Sequence, residues 1–148
     1  MTIIRAMTPS DLAWVSCCER KNMINPWSKV TLKEVLSLEH YQPLVACLTN
    51  NKLIAYAIFS SLYEEANLLK IAVDKPYQQQ GYASQLIQQG LFWAQKKQAR
   101  YCLLEVAVTN ISAISFYTKV GFKTIDIRKK YYKTANQRVD AKVMRLSF

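Results

Sequence analysis

The feature that most constrains this chain is a change of hydrophobic period near its centre. Three apolar runs follow one another, "PLVACLTN" (43–50), "KLIAYAIFSSLY" (52–63) and "ANLLKIAVD" (66–74), each of strand length and bounded by turn residues. The first two meet at Asn50-Asn51, a pair suited to a hairpin turn. Beyond Asp74-Lys75-Pro76 the apolar positions fall instead at Ala83, Leu86, Ile87, Leu91 and Ala94, the one-sided stripe of a helix lying on a sheet. "YCLLEVAV" then reads as a buried strand. A strand, a crossover helix and another strand put two parallel neighbours into a sheet whose other strands are joined by hairpins.

The flanking segments complete the pattern. "TIIRAM" reads as a first strand, and Thr8 or Ser10 caps a helix through "DLAWVSCCERKNM". A second helix fits "TLKEVLSLE", where Thr31 and Glu34 have capping-box spacing, with Pro26-Trp27 in the loop between the two. A short helix runs from an Asn110 cap to Val120 and stops at Gly121-Phe122, a glycine-then-apolar terminator. Two long β runs, 122–132 and 138–148, close the chain. The expected order is β, α, α, β, β, β, α, β, α, β, β: an α/β (α+β) fold with a mixed, mostly antiparallel sheet.

Length and composition limit the possibilities. The chain has 148 residues, 51% hydrophobic and 20% charged, enough for one domain (1–148) with a proper core. The start lacks a cationic segment followed by a long apolar run, so neither signal peptide nor membrane anchor is expected. Residues 76–95 are free of charge, but seven of them are glutamines, which a bilayer would reject. The expected setting is the cytoplasm, where the formal glycosylation sequon at Asn110 means nothing and Cys17, Cys18, Cys47 and Cys102 stay reduced. No C-x-x-C pair occurs and His40 is the sole histidine, so no metal is expected.

The formal net charge is +10. Residues 123–145 hold eight Lys/Arg against Asp126 and Asp140, so this stretch alone carries +6. Such a bias favours an acidic partner such as RNA, a ribonucleoprotein surface or a polyanionic cofactor, although a solubilising strand face explains single lysines equally well.

Gly81, one of three glycines in the chain, sits between a strand end and a helix start. The amides there are unsatisfied helix N-terminal donors, and glycine lets an anion approach them. Neither G-x-x-x-x-G-K-[ST] nor G-x-G-x-x-G is present, and no Lys or Arg lies between Pro76 and Gln95, so the loop offers dipoles rather than charges. That suits a diphosphate better than a triphosphate with magnesium.

These residues carry a resemblance. "YQQQGYA" fits the Q/R-x-x-G-x-G/A signature of the GCN5-related N-acetyltransferases (GNAT), with Gln78, Gly81 and Ala83 in the defined places, and "NISAISFYTKVGF" from Asn110 fits that family's N-x-x-A-x-x-F/L-Y-x-x-x-G-F pattern. With "NPWS" (25–28), "KIAVD" (70–74) and "RKKYYKTANQRVDAKVM" (128–144), the chain is most similar to the RimI-type ribosomal-protein alanine N-acetyltransferases, over nearly its whole length.

The resemblance implies acetyl-CoA between the fourth and fifth strands. Its pyrophosphate would meet the backbone of Gln79, Gln80, Gly81, Tyr82, Ala83 and Ser84; its pantetheine arm would run beside Ile71, Ala72 and Val73 and contact Asn110. An N–H near Val73 would bind the thioester oxygen. Glu105 is implied as general base, and as a lone charge in an apolar strand it would be desolvated. Tyr117, seven residues past Asn110 and so two turns along the same face, is implied as general acid. Read without the family, Glu105 is a wet-face strand residue and Tyr117 a core aromatic. Trp27 and Tyr132, with Tyr131, are implied as aromatic walls around the acceptor, the N-terminal alanine of a small-subunit ribosomal protein. A monomer acting close to ribosomal RNA is expected. The chain departs from the family pattern at Val139, where an acid is usual, and at Ala107 and Gln79, where basic residues are common. The alternatives are an acetyltransferase for other protein N-termini or small amines, and a non-catalytic basic module that binds RNA or ribosomes.

Overall fold

The computed structural model describes residues 2–134 and 136–148. Its elements are β1 (Thr2–Ala6), α1 (Leu12–Asn22), α2 (Lys29–Leu36), β2 (Tyr41–Leu48), β3 (Leu53–Leu62), β4 (Glu65–Val73), α3 (Tyr82–Lys96), β5 (Tyr101–Ala107), α4 (Ile111–Val120), β6 (Lys123–Lys133) and β7 (Arg138–Ser147). Short 3-10 turns at Pro9–Asp11 and Lys75–Tyr77 precede α1 and α3. The order and class expected from the periodicity are observed. One seven-stranded sheet runs β1-β2-β3-β4-β5-β7-β6, and its single parallel pair is β4–β5, bridged by α3.

The helices divide between the two faces of the sheet. On one face α1 and α2 bury Leu12, Val15, Leu32 and Val35 against Val45, Tyr56 and Ile58. On the other, Leu86, Ile87 and Ala94 of α3 and Tyr117 of α4 pack on Ala57, Phe59, Leu68, Leu104 and Met144. Alternation along each strand feeds both cores, so β3 reads as nearly continuous apolar sequence and is buried from Ile54 to Phe59.

Caps account for the helix starts, with one correction. The box expected at Thr31 and Glu34 does not form there; α2 begins earlier, at Ser28, whose Oγ accepts from the Thr31 amide at 3.2 Å. Ahead of α1, the Thr8 amide donates to Asp11 Oδ2 at 2.8 Å. Arg5 clamps the same carboxylate through two bonds of 2.7 and 2.9 Å, tying β1 to the helix start and holding Asp11 below the usual carboxylate range. Asn110 caps α4, and the amide of Phe122 closes its end on the Tyr117 carbonyl at 3.0 Å.

Gly90 was not singled out by the helical stripe, yet packing depends on it. It is buried in α3, and a Cβ built there would lie 2.1 Å from the ring of Phe59, which is itself fully buried. The bare backbone is what lets α3 approach the sheet. Gly90→Ala should therefore destabilise the fold by about 1–3 kcal/mol through overpacking, read by urea denaturation, whereas an unchanged midpoint would mean that Phe59 can move aside.

Candidate active site

Strands β4 and β5 pair over only three positions, Glu65–Tyr101, Ala66–Cys102 and Asn67–Leu103, and then diverge. Each keeps its outer partner: β4 stays on β3 as far as Val73, and β5 stays on β7 as far as Ala107. The ladder shifts register between Ile58 and Phe59, so that Leu69 is an extra residue in β4, a bulge at the point of divergence. The result is a groove of about 670 Å³ through the sheet, bordered by β4 (68–73), β5 (104–107), the starts of α3 and α4, residues 22–25, and Tyr132.

The groove wall on β4 is an unpaired strand edge. The Asp74 amide donates to Ile54 on the β3 side, so alternation turns the amides of Val73 and Ile71 toward the opening. The Val73 carbonyl accepts from the Gln78 side chain at 3.0 Å. At the start of α3 the first helical bond is from the Gln85 amide to the Gly81 carbonyl, leaving the amides of Tyr82, Ala83 and Ser84 without intrahelical partners. These three residues and Gly81 line the groove. Gly81 is the α3 N-cap with φ of 89°, and a Cβ there would meet nothing within 4 Å. Its first requirement is therefore conformational, and the space beside it is open.

Two titratable side chains reach the groove from opposite faces. Tyr117 belongs to the α3/α4 side, with its ring against Phe116 and Phe122; burial alone pushes its phenol up to about 12. Glu105 projects to the α1/α2 side. It is not the lone desolvated charge expected from its strand, because Arg128 Nη1 of β6 lies 3.2 Å from its Oε1 and the side chain is 28% exposed. Tyr131 abuts the same carboxylate, which raises its phenol, and Arg128 lies over the Tyr131 ring at 5.4 Å. Tyr132 lines the groove, and burial, with Glu105 next, pushes it up to about 12.

Of the residues singled out by sequence, Ile71, Ala72, Val73, Gln79, Gly81, Tyr82, Ala83, Ser84, Glu105, Asn110, Tyr117 and Tyr132 converge on this groove. Gln80 and Trp27 are not among its lining residues: Gln80 donates to the Pro76 carbonyl at 3.1 Å, and Trp27 packs with the α1/α2 core. In their place stand Met23, Ile24 and Asn25. Sequence reasoning missed these because loop residues carry no period, and it missed Lys70 of β4 because its partner, Glu19, lies on α1. Val139, a departure from the family pattern, is 8% exposed and pairs with Tyr132 in the sheet.

A family model described as acetyltransferase (GNAT) family matches residues 11–122. The chain belongs to that family. It is 34% identical over 147 residues to the [ribosomal protein bS18]-alanine N-acetyltransferase of Escherichia coli K12, covering 99% of this chain and 97% of that one. Against the protein of the same name from Haemophilus influenzae it is 35% identical over 145 residues, 97% of each. The crystal structure of the ribosomal-protein-S18-alanine N-acetyltransferase from Escherichia coli superposes with a TM-score of 0.88 at 31% identity, over 99% of this chain and 94% of that one. Arabidopsis thaliana NAA60 in complex with acetyl-CoA shares the fold at 17% identity, with a TM-score of 0.90 over 100% and 99% of the two chains. The activity class of this acetyltransferase is acetyl-CoA-dependent transfer to an amine nitrogen.

Its groove suits that co-substrate on physical grounds. An open strand edge at β4 can bond an extended amide-containing arm as a further strand would, and three free amides at the end of a 15-residue helix attract a diphosphate. Among the described residues no group of His, Cys, Asp or Glu is clustered to hold a metal ion. Gly81→Ala should cost roughly 1–2 kcal/mol from the left-handed backbone alone, since the added methyl meets no atom. A thermal-unfolding loss well beyond that would show a clash that the geometry does not contain.

Proposed function

We propose that this acetyltransferase, working as one domain over residues 1–148, moves acetyl from acetyl-CoA to the α-amino group of an N-terminal alanine on a small-subunit ribosomal protein. The observation that carries the reading is the groove through the sheet, which Tyr117 enters from the α3/α4 face and Glu105 from the α1/α2 face. Similarity to bS18-alanine N-acetyltransferases over 97–99% of the chain supports the acceptor class.

Acetyl-CoA supplies an acyl carbon activated as a thioester. The amides of Tyr82, Ala83 and Ser84, presented by Gln79, Gln80 and Gly81, hold its pyrophosphate. The open edge at Ile71, Ala72 and Val73 holds the pantetheine arm, and an amide near Val73 steadies charge on the thioester oxygen. Asn110 Oδ1 already accepts from the Ala113 amide, which leaves its side-chain N–H groups for the pantetheine region.

Glu105, through water, takes a proton from the incoming α-ammonium. With a pKa of about 7.7–8.0, an α-amine asks little of its base, whereas a lysine near 10.4 asks more. Tyr117 keeps its proton at neutral pH and gives it to the departing sulfur. Tyr132 forms a wall on the acceptor side, and Trp27 backs the loop opposite. No helix among the described residues is long and apolar enough to cross a membrane. We place the enzyme in the cytoplasm as a monomer, with the exposed lysines of β6 favouring encounter close to ribosomal RNA.

Thiol release from acetyl-CoA, measured with peptides starting Ala, Ser, Met and Gly and with an internal-lysine peptide, tests the acceptor. Release with the Ala peptide alone is expected; equal release with the lysine peptide would overturn the α-amine assignment. Glu105→Gln should lower kcat by about 100-fold or more while acetyl-CoA binding holds, and wild-type turnover would remove Glu105 from the reaction. For Tyr117 the sign is set by its raised pKa: the acid form persists as pH rises through the ordinary tyrosine range. The rate should climb as the amine deprotonates and then stay level to about pH 10. A decline starting below pH 9 that Tyr117→Phe abolishes would contradict the assignment.

A further inference from the structure

On its acceptor side the groove is bordered by Met23, Ile24 and Asn25, part of a stretch, 23–28, with no regular secondary structure. Its apolar anchorage is confined to Met23 and Trp27, which pack against the α1/α2 core. Ile24 is 44% exposed, and Met23 and Trp27 are only half-buried. The loop's backbone is held by a buried charge cluster lying behind it, which the transfer chemistry does not use.

Glu19 of α1 is 0% exposed, and both of its oxygens are engaged. Oε1 accepts from the Tyr56 hydroxyl of β3 at 2.6 Å, and Oε2 accepts from the Trp27 amide at 2.8 Å. Lys70 Nζ of β4 lies 3.2 Å from Oε2, donates to the Asn25 carbonyl at 2.9 Å and sits over the Trp27 ring at 5.2 Å. Burial and Glu19 together hold the Tyr56 phenol far above its ordinary value, so it remains a donor. Two of these bonds end on the loop, at Asn25 and Trp27, one on each side of Pro26. The others anchor the cluster to α1, β3 and β4.

Desolvating an ion pair is costly, and apolar packing stabilises a core equally well, so a buried pair is best understood through what it orients. Here it orients an irregular loop that borders the groove on its α1/α2 side. We propose that Glu19 and Lys70 are positioning residues for the acceptor: their pair fixes residues 23–27 against the groove mouth on the α1/α2 side, and so sets acceptor binding without serving the acetyl-CoA side. The inference rests on the reading above that the acceptor enters from that face. Lys70 directly precedes Ile71 of the open edge, and its ammonium turns away from α3, toward Glu19.

The test uses the full chain with Lys70→Met, Lys70→Arg and Glu19→Gln. Amide hydrogen exchange is read at residues 23–27 and at the start of α3, and KM is measured for acetyl-CoA and for an Ala-starting peptide. Losing bonds to a charged group should speed exchange in 23–27 and raise the peptide KM, each by about tenfold or more. Exchange at 81–85 and the acetyl-CoA KM should stay within about twofold in Lys70→Met, and Lys70→Arg should recover most of the peptide KM. If Glu19→Gln does not fold, the two Lys70 variants decide the question alone. A peptide KM within twofold of wild type, or both KM values rising together, overturns the proposal, as does unchanged exchange in 23–27. Should wild type prefer a different amine, the acceptor assignment fails separately: the KM comparison is then made with that amine, and the exchange measurement needs no acceptor.

Discussion

The site depends on one defect in the sheet: β4 and β5 stop pairing after three residues while each remains bonded on its outer side. Unpaired strand groups inside a fold are unfavourable unless something bonds them. The defect is stable because its cost is confined to the facing edges, and those edges open to solvent and ligand. It also joins the two faces that the sheet otherwise keeps apart. The free amides of α3, the Tyr117 phenol and the Glu105 carboxylate share a cavity only because the split lets them.

Electrostatics differ on the two sides of the split. The α3/α4 side offers dipoles and no formal cation between Pro76 and Gln95, a setting for a diphosphate on backbone amides. The α1/α2 side is charged. Glu105 is paired to Arg128 from β6, and Glu19 is paired to Lys70 from β4. Each pair contributes one groove-lining residue, Glu105 and Lys70; the first pair is partly exposed, and the second is buried and bonded to a loop. That contrast separates the carboxylate we propose as general base from the one we propose to orient backbone.

Much of the fold was legible because its elements keep strict periods. The three central runs, the α3 stripe and the Asn110 cap each specify one state, and the order of elements follows from them. The groove residues at Gly81–Ser84 and Asn110 were legible through short motifs tied to backbone geometry. What escaped the sequence depends on contacts between distant residues. The capping role passed from Thr31 to Ser28 because the chain enters α2 earlier than its apolar pattern begins. Gly90 matters through the Phe59 ring, 31 positions away in sequence. Glu105 read as an isolated charge because its partner, Arg128, lies on β6, beyond α4 in the chain and across β7 in the sheet. Glu19 and Lys70 gave no local signal, since their pairing exists only after α1 has docked on β4.

The central claim is that the two substrates meet from opposite faces of the sheet through the gap between β4 and β5. It is tested most directly by a crystal structure with a bisubstrate analogue, CoA joined through its sulfur to the nitrogen of an Ala-starting peptide. The account predicts the pyrophosphate on the amides of Tyr82–Ser84, the arm along Ile71–Val73, and the peptide between residues 23–25 and Tyr132 on the α1/α2 side. A peptide leaving the groove on the α3/α4 side, or an arm that does not bond the β4 edge, would contradict it.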